Sequence, residues 1–255
     1  LAVRMLDVGQ GDSILIQSPS GQNILVDGGP EKAGKYAVVA FLRAHGISRL
    51  NAVVATHPDS DHIGGLIDVL QDLPVDLFIT SPAFKKSETL TELENVIRSK
   101  SIPTKMVARG DILDGLTQCQ ITVLNPQLDS FAEDNDLSIV LRLDHGKNSF
   151  LLTGDASEWA ETDMLAASID LDCDVLKAGH HGAKSSSSMP FVHAVSPELV
   201  LVSAGRDNRY GHPHEEALER FQREKGRVLR TDQQGAISIF SDGENLRTMT
   251  ALRHE

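Results

Sequence analysis

The sequence predicts an α/β protein built as an αββα sandwich: two mixed sheets packed face to face, with helices on the outer faces. Three observations carry this reading. The first half opens on a strand meander and ends in α/β units. The same order returns in the second half. Each half then holds a sheet with one face covered by helices and one still needing an apolar cover, and packing the two sheets together satisfies both. At 255 residues the chain is long enough to bury a substantial core, and 1–255 reads as one domain.

Residues 2–8, 13–17 and 23–26 alternate in polarity or are rich in β-branched residues, with turns at Gly9-Gln10-Gly11 and Pro19-Ser20-Gly21, so they read as three strands. Helical spacing over 35–44, a short apolar strand at 52–56, a helix over 64–71, a strand at 77–80 and a helix over 89–99 complete the first half. Strands at 120–124, 138–143 and 149–152 begin the second half. A helix over 158–167, a strand at 175–177, a helix near 189–194, a strand at 199–203, a helix over 215–224 and closing strands at 227–230 and 236–240 follow. Residues 125–135 are polar and short enough to be a loop within a domain. Trp159 is expected to pack within its helix.

A composition of 40% hydrophobic and 24% charged residues is that of a globular chain, and no run approaches the roughly 18 apolar residues of a membrane span. The start, Leu1-Ala2-Val3-Arg4, carries neither an initiator Met nor a signal peptide and suggests an excised domain. A formal net charge of −12 repels nucleic acid only weakly beyond the screening length of about 8 Å, so local charge must decide. Cys119 and Cys173 form no C-x-x-C pair and read as two buried thiols, with one disulfide as the alternative.

His57-Pro58-Asp59-Ser60-Asp61-His62 follows an apolar strand and precedes a helix. Pro58 forbids helix through the loop, so the side chains of 57, 59 and 61 can converge while Asp61 and His62 sit at the helix start. Four ligand-type side chains in six residues exceed what one ion needs. The natural division gives His57 and Asp59 to one divalent cation and Asp61 and His62 to another about 3.5–4 Å away. The plain alternative is that Asp61 merely caps the helix.

This segment resembles the H-x-H-x-D-H signature of the metallo-β-lactamase superfamily, and the resemblance extends over nearly the whole chain. It implies that Asp27, in Val26-Asp27-Gly28-Gly29, supports the metal loop, and that Asp155, in Thr153-Gly154-Asp155, bridges the two ions. It also implies that Gly179-His180-His181-Gly182 supplies the last imidazole, His181 as ligand, with His180 facing substrate.

Two departures are informative. Asp59 stands where the signature has His, and Asn135 where many members carry another His. Oxygen donors in place of imidazole favour manganese, with zinc or magnesium as alternatives. Together with Asp7-Val8-Gly9-Gln10-Gly11-Asp12-Ser13, Leu176-Lys177-Ala178-Gly179-His180-His181-Gly182 and Asn208-Arg209-Tyr210-Gly211-His212-Pro213, these motifs are similar to the β-lactamase-like domain of the ComEC family of competence proteins. That resemblance implies a two-metal hydrolase, a deoxyribonuclease degrading the DNA strand that is not imported. It also implies attachment to a membrane channel, with this domain on the outer face of the inner membrane and single-stranded DNA as its partner.

Within this reading Asp61 orients the attacking water, and His180 or His212 contacts phosphate or protonates the leaving oxygen. Lys177, Lys184, Arg206 and Arg209 form a basic rim that offsets the acidic whole. Two further readings stand beside it: hydrolysis of a small phosphodiester, and a non-catalytic DNA-binding module with a degenerate site. The scarcity of tryptophan and tyrosine, Trp159 and two tyrosines, argues against a choline cage.

Overall fold

The computed structural model describes residues 1–81, 86–113, 118–127 and 134–252. The middle of the expected loop at 125–135, residues 128–133, lies outside the described residues. Fifteen strands are defined among them: β1 Ala2–Met5, β2 Ile14–Gln17, β3 Asn23–Val26, β4 Ala52–Val54, β5 Phe78–Thr80, β6 Thr104–Met106, β7 Ile112–Leu113 and β8 Gln120–Asn125, then β9 Val140–His145, β10 Asn148–Leu152, β11 Val175–Lys177, β12 Leu199–Val202, β13 Arg227–Arg230, β14 Ile237–Ser241 and β15 Leu246–Thr250.

They form an eight-stranded sheet in the order β15-β14-β1-β2-β3-β4-β5-β6 and a seven-stranded sheet in the order β13-β12-β11-β10-β9-β8-β7. Both are mixed. β1, β2 and β3 are an antiparallel meander that continues in parallel through β4, β5 and β6. β8, β9 and β10 are antiparallel, and β10 to β13 are parallel.

Alternation along the strands makes the four layers. Val3, Met5, Ile14, Ile16, Ile24 and Val26 point inward and meet Leu141, Leu143, Phe150, Leu152 and Val175 of the other sheet in one apolar layer. Their neighbours Leu15, Leu25 and Val53 point outward onto Val38, Leu42, Leu66 and Leu70 of the covering helices. On the opposite face Leu151, Leu176 and Val200 lie on Met164, Phe191 and Phe221. Burying a side chain of this size contributes about 1.5–3 kcal/mol relative to exposure.

The structure departs from expectation in places that have a local reason. The helix expected at 64–71 spans Ser60–Asp72, because Asp59 is extended (φ −68°, ψ 143°) and the chain turns helical at once, drawing Asp61 and His62 into the first turn. The closing strand β14 crosses back to pair with β1, so the end of the chain completes the first sheet. β6 and β15 are half exposed and lack the apolar signal of the inner strands. Trp159, expected to pack, is 48% exposed, because its helix turns Ala160 and Met164 to the sheet instead. Cys119 and Cys173 are both free.

Candidate metal centre

Loops at the carboxyl ends of β3, β4, β10, β11 and β12 bring Asp27, His57, Asp155, His181 and Ser203 to one rim between the sheets, where open α/β sheets place ligands. Close backbone contact fixes the first two loops. A Cβ on Gly65 would sit 2.0 Å from the Gly28 carbonyl oxygen, so only glycine lets the loop after Asp27 rest on the helix that carries His62. Gly11, at φ +134°, would place a Cβ 2.1 Å from the Asp61 carbonyl.

Asp27 is buried, and its two oxygens accept three hydrogen bonds: from Thr56 N at 2.9 Å, Thr56 Oγ1 at 2.7 Å and His62 Nδ1 at 2.8 Å. Because the Thr56 hydroxyl gives its proton to Asp27, it accepts from His57 Nδ1 at 3.0 Å. Both imidazoles therefore turn Nε2 toward the cluster. Burial, with His62 nearby, pushes His57 down to about 3, which keeps it neutral.

Asp155, also buried, lies at the centre. Its Oδ2 is 3.8 Å from His57 Nε2, 3.4 Å from His181 Nε2 and 3.6 Å from His180 Nε2, while Oδ1 is 3.3 Å from His62 Nε2. Asp59 Oδ2 is 3.8 Å from His57 Nε2, and Asp61 Oδ2 is 3.5 Å from His181 Nε2. The side chains fall into two groups that share Asp155: His57 with Asp59, and Asp61 with His62 and His181.

His180 and His181 are both left-handed, at φ 47° and 56°. Two successive non-glycine residues in that region carry strain of about 1–3 kcal/mol each, which is typical of functional turns. The turn buries His181, whose Nδ1 donates to Ser203 O at 3.1 Å, and leaves the His180 side chain 32% exposed at the mouth. His212 stands above them, 5.6 Å from His180 and 6.0 Å from His181 between ring centroids.

The residues suit divalent cations. His57 Nε2 and Asp155 Oδ1 are buried without a hydrogen-bond partner, and the Nε2 atoms of His62 and His181 face each other at 3.3 Å. Asp12, His62, Asp155 and His181 offer ligand atoms all within 4.8 Å of one another. Asp12 escaped the sequence reading as a site residue and entered it only within the segment Asp7–Ser13 that carries the family resemblance. A buried carboxylate after Gly9-Gln10-Gly11 could have been suspected only by pairing it with a buried lysine.

Asn135 sits in the turn Asp134–Leu137, where its carbonyl accepts from Ser138 N at 3.1 Å. One expectation needs correction: Lys177 is no rim cation. The inward register of β11 places it between the sheets, fully buried, with Nζ donating to Gly154 O at 2.8 Å and paired with Asp12. Lys184, Arg206 and Arg209 are exposed as expected, Arg209 lying 4.8 Å over the Tyr210 ring.

The sandwich and a rim of imidazoles and carboxylates define a metal-dependent hydrolase. The chain belongs to the metallo-β-lactamase superfamily, which it matches over residues 6–206. It is 34% identical to ComE operon protein 3 of Bacillus subtilis over 251 residues, 92% of this chain and 32% of the relative. It is 32% identical to competence protein ComA of Neisseria gonorrhoeae, over 93% of this chain and 32% of the relative. The chain thus spans about a third of the length of these curated relatives.

Among solved structures it is similar to Igni18, a metallo hydrolase of Ignicoccus hospitalis, with a TM-score of 0.62, 13% identity and coverage of 95% and 100% of the two chains. A diphosphatase of the PhnP family follows at TM-score 0.52 and 14% identity, covering 90% and 94%. These likenesses show the fold. Among the described residues no helix is long and apolar enough to cross a membrane.

Proposed function

We propose that this chain is the hydrolytic domain of a DNA-uptake protein, a manganese-preferring deoxyribonuclease that degrades the strand not imported. In the longer protein it would be attached to a membrane channel and work on the outer face of the inner membrane. The observation that carries the reading is the pair of ligand groups sharing Asp155, joined to similarity with proteins named for competence. Two divalent cations would be held by His57, Asp59 and Asp155 and by Asp61, His62, His181 and Asp155. When bound they supply positive charge to the attacking and leaving oxygens of an in-line phosphodiester displacement and acidify water. Asp59 in place of an imidazole favours manganese.

The chain's own groups complete the site. Asp27 fixes both ligand tautomers, Asp61, 3.5 Å from His181 Nε2, would orient the attacking water, and His180 and His212 line the mouth where a phosphate would enter. Exposed Lys184, Arg206 and Arg209 favour a polyanion locally against a net charge of −12. The test is cleavage of labelled single- and double-stranded DNA and of bis(p-nitrophenyl) phosphate, by protein stripped with chelator and reloaded with manganese, zinc or magnesium. Cleavage of single-stranded DNA with manganese is expected. Cleavage of the small ester alone replaces the reading with a small-phosphodiester hydrolase, and cleavage of neither replaces it with a DNA-binding module.

A further inference from the structure

Lys177 is a fully buried cation with no place in the chemistry above. In β11 the alternation sends Val175 into the inter-sheet layer and Leu176 toward the helices, so the next inward position falls to Lys177, directly beneath the cluster. Taking an ammonium out of water costs several kcal/mol unless it is paired and hydrogen-bonded. Here the partners come from two loops. Asp12, from the β1–β2 connection of the opposite sheet, forms the ion pair; Gly154 O accepts at 2.8 Å; and Asp155 Oδ1 lies at 3.6 Å.

The other oxygen of Asp12, Oδ1, is buried, has no hydrogen-bond partner and lies 3.3 Å from His181 Nδ1. Its charge favours the proton on that nitrogen and so leaves Nε2 as the ligand atom. One pair therefore touches two ligand loops: Lys177 grips the Gly154-Asp155 turn, and Asp12 faces the back of His181. The pair acts on Asp155 and His181, whereas His57 and Asp59 ride on the loop after β4.

We propose that Lys177 and Asp12 are a positioning pair for one of the two cation sites, the one built by Asp61, His62, Asp155 and His181. The pair also spans the two sheets, so that this site is completed only when they pack. The inference rests on the metal-binding part of the reading above and does not depend on the substrate.

A single substitution strands a buried charge and weakens the fold for reasons unrelated to metal. The informative variant is the double one, Asp12→Asn with Lys177→Met, which removes both charges at nearly unchanged volume. Calorimetric titration with manganese alone and metal analysis after dialysis, both on chelator-stripped protein, would be read beside thermal melting. Wild type is expected to take up two equivalents. The double variant should melt closer to wild type than either single variant does, yet bind its second equivalent about 10–100-fold more weakly. A double variant that binds both equivalents with wild-type affinity overturns the inference while leaving the hydrolase reading intact. Equal weakening at both sites overturns it too, since His181, the ligand that Asp12 faces, belongs to one group only. Wild type that takes up no manganese, zinc or magnesium removes the metal reading and this inference together.

Discussion

Asp27 sets the tautomer of His57 without touching it: His57 Nδ1 donates to Thr56 Oγ1 at 3.0 Å, and that hydroxyl donates to Asp27 Oδ2 at 2.7 Å, the oxygen that also accepts from His62 Nδ1. One carboxylate thus aims a ligand nitrogen from each of the two groups. In Asp27→Asn a single amide must replace three acceptor contacts with one acceptor oxygen and one donor. Manganese affinity should fall about 10–100-fold at both sites, measured by calorimetric titration. An unchanged affinity would mean the tautomers are fixed by something else.

Asp155 is the residue common to both groups, within 3.8 Å of ring nitrogens of His57, His62, His180 and His181. Asp155→Asn keeps the shape and removes the shared charge. Turnover should drop by about three orders of magnitude or more, about 4 kcal/mol of barrier, with a circular dichroism spectrum close to wild type. Near-normal hydrolysis with two bound ions would end its assignment as the bridge.

Metal binding and protonation compete for the same lone pairs. Burial alone would lower His62 and His181, but Asp155 with Asp27 for the one, and Asp155 with Asp12 for the other, outweigh it and hold both well above the usual imidazole value. In metal-free protein each raised value contributes stability that is full below about pH 6.5 and is lost as pH rises through the folded-state value. Cation binding instead requires both imidazoles to be deprotonated and releases protons. The gap in melting temperature between manganese-loaded and chelator-treated protein should therefore widen from about pH 6 to about pH 8. A gap that narrows over that range contradicts the ligand assignment.

Behind the His180-His181 turn, Glu161 is buried and caps the chain before the helix Met189–Val195. It accepts from Ser187 N through one oxygen and from Ser188 N at 2.8 Å through the other. Arg220 closes the same loop by donating to Ser186 O at 2.7 Å and Lys184 O at 2.9 Å. Glu161→Ala strands two buried N–H groups at about 1–3 kcal/mol each. A loss of at least about 2 kcal/mol is expected in urea unfolding, and a loss near zero would show that water or a rearranged loop takes over the cap.

The sequence was most legible where local rules and global packing agree. The meander over β1–β3 and the parallel strands behind each ligand loop have both faces buried, so their apolar runs stand out, and Pro58 marks the bend that lets His57, Asp59 and Asp61 converge. β6 and β15 sit at sheet edges with exposed side chains and carry no such signal. Lys177 misled because a charged residue at a strand end ordinarily lies at the surface, and only the partner loop from the other sheet explains its burial. Asp12 and Lys177 are 165 residues apart, a pairing that no local pattern encodes.

His212 tests the substrate side of the site. Gln10 Oε1 accepts from Gly205 N at 3.3 Å, which turns the amide nitrogen of Gln10 toward His212 Nδ1 at 3.4 Å. The proton of His212 is then on Nε2, which can donate a hydrogen bond to a ligand. Partial burial, and the neighbouring His181, His180 and His214, push His212 down to about 4, so near neutral pH it is a neutral donor. Asn208 holds the loop by donating to His212 O at 2.6 Å and accepting from His212 N at 3.0 Å, so the ring is pre-positioned. A neutral, fixed N–H suits stabilisation of phosphate charge better than proton delivery, which narrows the role expected from sequence. His212→Ala should lower kcat on single-stranded DNA about 10²–10³-fold, the usual cost of one pre-positioned donor. Metal content should be unchanged, because His212 stands outside both ligand groups. His212→Asn, which restores a neutral N–H, should recover part of the loss, and the ratio of wild-type to His212→Ala rates should stay flat from about pH 6 to about pH 8. A ratio that collapses as pH rises would assign His212 to proton delivery instead, and a variant that loses a metal equivalent would make it a ligand.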